Sequence, residues 1–264
     1  MDQRARTTGP ASNVRTAVVW EVLSAVLAEA DPDGHGLVVV DAGGGTGGFA
    51  VPLAEAGHRV TVVDPSPDSL AALQRRAAER GLDVAALQGD LGDLPQLVPA
   101  GSADLVLCHS VLEVVSETMD PASALQAVAT VLRDGGRLSL LVANRDAAVL
   151  ARALAGRPDE AAHALTDPHG RWGAADGTAR RWTPDGITEL VAAAGLTVEQ
   201  VHGVRTVSDL VPSAVLDTEP GAAAALLALE RTLSGRSPFR DLATQLHLLA
   251  RKGTDRAQSS ARAD

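Results

Sequence analysis

Residues 37–48 read LVVVDAGGGTGG, an apolar run that ends in a carboxylate and passes at once into five glycines around one threonine. Val38, Val39 and Val40 are β-branched and uninterrupted, the pattern of a parallel strand buried on both faces. Gly43, Gly44 and Gly45 let the chain turn sharply and approach a ligand with no Cβ in the way. A helix expected over 46–57 then points its free N–H groups at whatever binds there. Gly43, Gly45 and Gly48 also satisfy GxGxxG, so this stretch alone is compatible with a dinucleotide site and with a methyl-donor site.

The strands that follow narrow the choice. HRVTVV at 58–63 predicts a second strand whose tip is Asp64, placed to accept hydrogen bonds from ribose hydroxyls. A short strand at 84–87 is followed by Gly89, Asp90 and Leu91, where a carboxylate can receive the exocyclic amine of adenine. A fourth, ADLVLC at 103–108, delivers His109 and SVLEVV to the same edge. A glycine loop, two aspartates and a histidine on four successive strand ends is the layout of a class I S-adenosylmethionine-dependent methyltransferase. The expected fold is therefore α/β and Rossmann-like, with a mostly parallel seven-stranded sheet, helices on both faces and a lid insertion. The expected cofactor is S-adenosyl-L-methionine.

Composition bounds the rest. With 264 residues, 45% of them hydrophobic, the chain can bury one substantial core. A single cysteine, Cys108, excludes a disulfide framework and a thiolate metal site, and His163 and His169 are too isolated to suggest a metal. No run of about 18 apolar residues marks a membrane span, and MDQRARTTGP lacks the apolar centre of a signal peptide. A cytoplasmic enzyme with no membrane partner is expected. The net charge of −10 argues against a broad nucleic-acid footprint without forbidding a local basic patch. Lys252 is the one lysine, against 22 arginines.

The domain plan read from the chain is a flexible N-terminus at 1–11, a methyltransferase domain at 12–252 and a flexible tail at 253–264. A first helix is expected over 13–30, capped by Ser12 or Asn13. Further helices are expected at 67–80, 121–132, 184–194 and 220–233, with strands at 136–143, 197–206 and 242–250. Residues 144–182 break that rhythm, mixing one helix with a Gly, Pro and Asp-rich loop of the kind that serves as a lid or binding loop. Trp172 and Trp182 lie there, beside Arg171, Arg180 and Arg181.

DAGGGTGG, GHRVTVVD, HSVLEVVSETMDP, GVRTVSD and the closing HLLARK resemble, in order and spacing, the bacterial tRNA carboxymethoxyuridine methyltransferases. The likeness spans roughly residues 7 to 252. It implies esterification of the carboxylate on a modified tRNA wobble uridine. It places cofactor contacts on Arg15, on Gly43 and Gly44, on Asp64, on Asp90 with Leu91, and on His109; the glycine turn itself adds Gly45. On the substrate side it places Arg205, and the Arg/Trp cluster of the lid independently offers Arg181 and Trp182 as a substrate patch. The chain departs from the family pattern at Ala143, where an aromatic residue is usual, at TARR over 178–181, which replaces a lysine-rich run, and at Leu210, again in place of an aromatic.

Methyl transfer from a sulfonium asks the protein to align two reactants and exclude water. A carboxylate acceptor is already ionised at neutral pH, so no catalytic residue is assigned; an amine or hydroxyl would call for a base. The alternatives to tRNA are a small acid or another small molecule taken by an O- or N-methyltransferase, and a non-catalytic S-adenosylmethionine-binding module. A nicotinamide oxidoreductase is disfavoured by the absence of a separate catalytic domain.

Overall fold

The computed structural model describes residues 15–114 and 119–254. The expected N-terminal segment 1–11, the caps Ser12 and Asn13 and most of the tail fall outside the described residues. In chain order the elements are α1 (Ala17–Ala30), β1 (Val38–Ala42), α2 (Ala50–Glu55), β2 (Arg59–Asp64), α3 (Pro67–Ala78), β3 (Ala85–Gln88), α4 (Leu94–Leu97), β4 (Ala103–His109), α5 (Pro121–Val131), β5 (Leu132–Ala143), α6 (Arg145–Leu154), α7 (Pro158–Thr166), α8 (Pro184–Ala193), β6 (Leu196–Val204), α9 (Ser213–Thr218), α10 (Ala222–Ser234) and β7 (Gln245–Lys252). Seven strands form one sheet in the order β3-β2-β1-β4-β5-β7-β6. The pairs β3 with β2, β2 with β1, β1 with β4 and β4 with β5 are all parallel.

This order reverses direction beside β1, which sits between β2 and β4, and open α/β sheets bind ligands outside the carboxyl ends of the strands at such a point. The register brings the ends together: Ala42 of β1 lies opposite Val63 of β2 and Cys108 of β4, and Asp64 lies opposite Gln88 of β3. The run that suggested a two-faced strand behaves as one, since Val39 and Val40 are buried, as is all of β4 from Leu105 to Cys108.

The chain folds as two compact units, each discontinuous in sequence. One, the glycine-loop unit, takes Glu29–Leu141, Asp185–Gln200 and the chain from Leu248; the second takes the chain up to Ala28, Val142–Pro184 and Val201–His247.

Three expectations need correction. The helix expected from residue 46 starts at Ala50 and is only six residues long. The intervening residues form turns, with Gly47 at φ 81°, a left-handed backbone that cannot belong to a right-handed helix. Strand β5 starts at Leu132 rather than 136: Leu132 pairs with Ala103, and the register then jumps to Leu105 with Arg137, so residues 133–136 bulge out of the ladder. The segment expected as one helix plus a loop holds two helices, α6 and α7, before the loop begins.

Candidate functional site

The glycine loop is built on carboxylates. Gly43 turns at φ 77° and donates its N–H to the carbonyl of Val63 at 2.7 Å, which ties the loop to β2. A Cβ on Gly43 would collide with Val111 beyond β4. A Cβ on Gly44 would lie 2.5 Å from both Cγ and Oδ2 of Asp41, so the Asp41 carboxylate sits directly beneath that glycine. Gly45, at φ 53°, donates its N–H to Oδ2 of Asp64 at 2.9 Å. The other Asp64 oxygen, Oδ1, accepts from the N–H of Ser66 at 2.9 Å. Asp64 thus couples the glycine loop to the start of α3.

A cavity of about 240 Å³ opens at these strand ends, walled among others by Ala42 and Gly43 after β1, Pro65 after β2, Asp90 and Leu91 after β3, and Val111 after β4. Of the residues expected on the cofactor side, Gly43, Asp90 and Leu91 line it directly. Gly44 and Gly45 follow Gly43 in the same loop, and Asp64 is tied to that loop through the Gly45 N–H. Asp90 also caps a short turn: its Oδ1 accepts from the N–H of Gly92 at 2.8 Å, and its own N–H donates to Asp93 Oδ2 at 3.0 Å. His109 is not among the walls. Its Nε2 shares a hydrogen bond with Ser139 Oγ at 2.9 Å, and its ring packs edge-on against Phe49 with centroids 4.6 Å apart. Burial drives its pKa from 6.5 down to about 3, so the imidazole is neutral.

Asp41 lies at the end of β1, and nothing in the sequence singles it out beyond that place. It is buried, its Oδ2 has no hydrogen-bond partner, and its pKa is raised from 3.8 to about 7, first by burial and then by the charge of Asp64. An unpartnered buried carboxylate under a glycine turn is a place for a cation. It is a poor place for a pyrophosphate, whose charge would face Asp41 and Asp64 together. The Gly45 N–H that a phosphate would need is already given to Asp64, and the following helix is short and starts late. These features fit S-adenosylmethionine, with its sulfonium and ammonium, and disfavour the dinucleotide that GxGxxG alone allowed.

The remaining expected site residues belong to the second unit. Arg15 is exposed, two residues ahead of α1. Trp182 is half-buried beside the end of β5, its N–H donating to the carbonyl of Ala143 at 3.0 Å and its carbonyl accepting from Arg145 at 2.9 Å. Arg181, expected to meet substrate, is instead spent on the loop itself. Its guanidinium grips Asp176 through Nη1 at 2.6 Å and Nη2 at 3.0 Å, and Nη1 also donates to the carbonyl of Gly170 at 3.1 Å. Asp176 further accepts the N–H groups of Trp172 and Thr178, and this set of donors holds its carboxyl below the usual range against the opposing effect of burial. Trp172 is half-buried, with the Arg152 guanidinium 4.5 Å above its ring. Arg205 stands on a left-handed backbone, φ 60°, and faces Asp209.

Residues 40–140 match the family model of a methyltransferase domain. The tRNA 5-carboxymethoxyuridine methyltransferases of Escherichia coli K12 and O157:H7 are 30% identical to this chain over 241 residues, which cover 90% of it and 88% of each of them. A ubiquinone biosynthesis O-methyltransferase of Xanthomonas euvesicatoria is 34% identical over 121 residues, 46% of this chain and 49% of that protein. Among solved structures, an S-adenosylmethionine-dependent methyltransferase from Mesorhizobium loti shares the fold with a TM-score of 0.60 at 21% identity, covering 91% of this chain and 100% of that one. Magnesium protoporphyrin IX methyltransferase from Synechocystis, solved with S-adenosylhomocysteine, does so with a TM-score of 0.57 at 18% identity, over 93% of this chain and 89% of that one. The glycine loop on its two carboxylates, the cavity at four parallel strand ends and a likeness running through nine-tenths of the chain converge: this is an S-adenosylmethionine-dependent methyltransferase, of the same family as the Escherichia coli tRNA 5-carboxymethoxyuridine methyltransferases.

Proposed function

We propose that this enzyme methylates a carboxylate, and that the carboxylate is carried by a modified wobble uridine of tRNA. The observation that supports the first half is Arg205, whose fork already grips a carboxylate, that of Asp209, with Nε donating at 3.1 Å and Nη2 at 2.7 Å. A hydroxyl or ammonium acceptor has to lose a proton before or during methyl transfer. A carboxylate needs no base: its oxygen attacks the methyl carbon, the C–S bond breaks, and the electron pair stays on sulfur. The cofactor supplies the activated methyl group, and the protein aligns the two reactants and keeps water out.

In this reading Gly43, Gly44 and Gly45 hold the methyl donor close to Asp41. Asp64 keeps the loop in place and offers its remaining lone pairs to ribose, while Asp90 and Leu91 border the adenine. Arg205 holds the acceptor carboxylate with its fork. The tRNA half is supported by the full-length likeness to the Escherichia coli enzymes, against a likeness to the ubiquinone O-methyltransferases that covers under half of the chain.

The test offers S-[methyl-14C]-adenosylmethionine with tRNA bearing 5-carboxymethoxyuridine, with the same tRNA lacking that modification, and with a small-metabolite fraction. Label is expected only on the modified tRNA, and mild alkali should release it, as a methyl ester requires. Label on a small molecule, or alkali-stable label, would overturn the reading.

A further inference from the structure

Arg205 is one of two non-glycine residues with positive φ among the described residues, the other being Ser110. Backbone strain of this kind persists only where the surroundings enforce it. The loop that follows Arg205 is held by Glu230 of α10, which is fully buried. Its carboxylate accepts three successive N–H groups, Thr206 on Oε2 at 2.9 Å, then Val207 at 2.9 Å and Ser208 at 2.7 Å on Oε1. The strand end is thereby wound into a fixed loop that brings Arg205 round to face Asp209.

The pairing that results is two-pronged. Nε of Arg205 donates to Oδ1 of Asp209 at 3.1 Å, and Nη2 lies 2.7 Å from Oδ2. Thr244 holds the partner in place, its hydroxyl donating to Asp209 Oδ2 at 2.9 Å and its N–H donating to the carbonyl of Arg205 at 3.3 Å. The two side chains remain 27% and 30% exposed. Both partners are thus within reach of a ligand from solvent, while the loop that carries them is fixed by a buried carboxylate.

We propose that Asp209 is a built-in stand-in for the acceptor's carboxylate. It keeps the Arg205 fork in the geometry that a carboxylate demands and yields the fork when an acidic acceptor arrives. The exchange replaces one carboxylate by another, so the guanidinium is never left unpaired, and the displaced Asp209 keeps Thr244 and solvent. A neutral acceptor offers nothing to trade, which makes Asp209 a specificity residue and Glu230 the positioning residue that holds the loop in register. The proposal rests on the reading of Arg205 as the acceptor's clamp.

The test uses Asp209→Asn, which keeps the shape and the Thr244 contact while removing the charge. The Arg205 Nε–Hε resonance, assigned by its disappearance in Arg205→Lys, is followed by NMR during titration with sodium acetate. In Asp209→Asn the resonance should move at acetate concentrations about tenfold lower than in wild type. KM for tRNA bearing 5-carboxymethoxyuridine should fall about threefold to tenfold, with S-adenosylhomocysteine affinity unchanged. Thr244→Val, which only loosens Asp209, should shift both readouts the same way by less, and it decides the question if Asp209→Asn does not fold. Equal acetate response in all three proteins, or a raised KM in Asp209→Asn, would overturn the stand-in. If wild type leaves the modified tRNA unlabelled, the tRNA reading fails while the acetate titration still decides the role of Asp209.

Discussion

The glycine loop and the Arg205 loop are both organised by carboxylates that accept backbone N–H groups, and they differ in what is left over. At the glycine loop Asp64 takes two N–H groups while Asp41, buried beneath Gly44, keeps an oxygen with no partner. At the Arg205 loop Glu230 takes three N–H groups and Asp209 takes the guanidinium and a hydroxyl. The first region has buried negative charge to offer a cation. In the second the guanidinium is already paired with Asp209, so an acidic ligand would enter by exchange. The same side-chain chemistry therefore yields an open receptor in one place and a closed pair in the other, and the decisive difference is whether a counter-charge lies within reach.

The sharpest way to break this contrast is Gly44→Ala. With the added Cβ 2.5 Å from the Asp41 carboxylate, either the loop or Asp41 must move, and affinity for S-adenosylhomocysteine should drop about a hundredfold by titration calorimetry. Undiminished affinity would separate the Asp41 pocket from the cofactor.

A smaller effect, of opposite sign in two measurements, tests the charge on Asp41. Its pKa is raised from 3.8 to about 7, so the folded protein retains a proton that the unfolded chain gives up. Stability of the free protein should therefore fall as pH rises from about 4 to about 7. Cofactor affinity should rise, by up to about tenfold between about pH 6 and about pH 7.5, as the carboxylate ionises beside a cation. Asp41→Asn should flatten both profiles, and parallel profiles in wild type and variant would show that Asp41 does not face the ligand.

The smallest effect belongs to the second unit. Arg181→Ala removes the partner of Asp176 and leaves that carboxylate short of its strongest donors, so thermal stability should fall by about 1 to 3 kcal/mol. Cofactor affinity should stay at the wild-type value. A specific loss of acceptor binding at unchanged stability would return Arg181 to the substrate side.

Local patterns carried most of the fold. Three adjoining β-branched valines marked β1, and the largely apolar runs before Asp64 and His109 marked β2 and β4, because strands buried on both faces are dominated by apolar residues. The site was legible where it consists of backbone: glycines permit the turns, and strand ends fix which residues follow. Where it depends on side-chain partners the sequence was silent. Arg181 and Arg205 look alike in a string of letters, and nothing local says that Asp176 claims one fork and Asp209 the other.

The sequence by itself thus determined an α/β methyltransferase fold, an S-adenosylmethionine cofactor and the strand ends that meet at its cavity, since periodicity and glycine placement act over a few residues. Only the tertiary structure decided that α2 starts beyond Gly47, that Asp41 lies buried and unpartnered beneath Gly44, that His109 is neutral, and that Glu230, 25 residues beyond Arg205 in the chain, fixes the loop that follows it. Burial, pKa and ion-pair choice depend on neighbours that the chain brings together from a distance, and no local pattern encodes them.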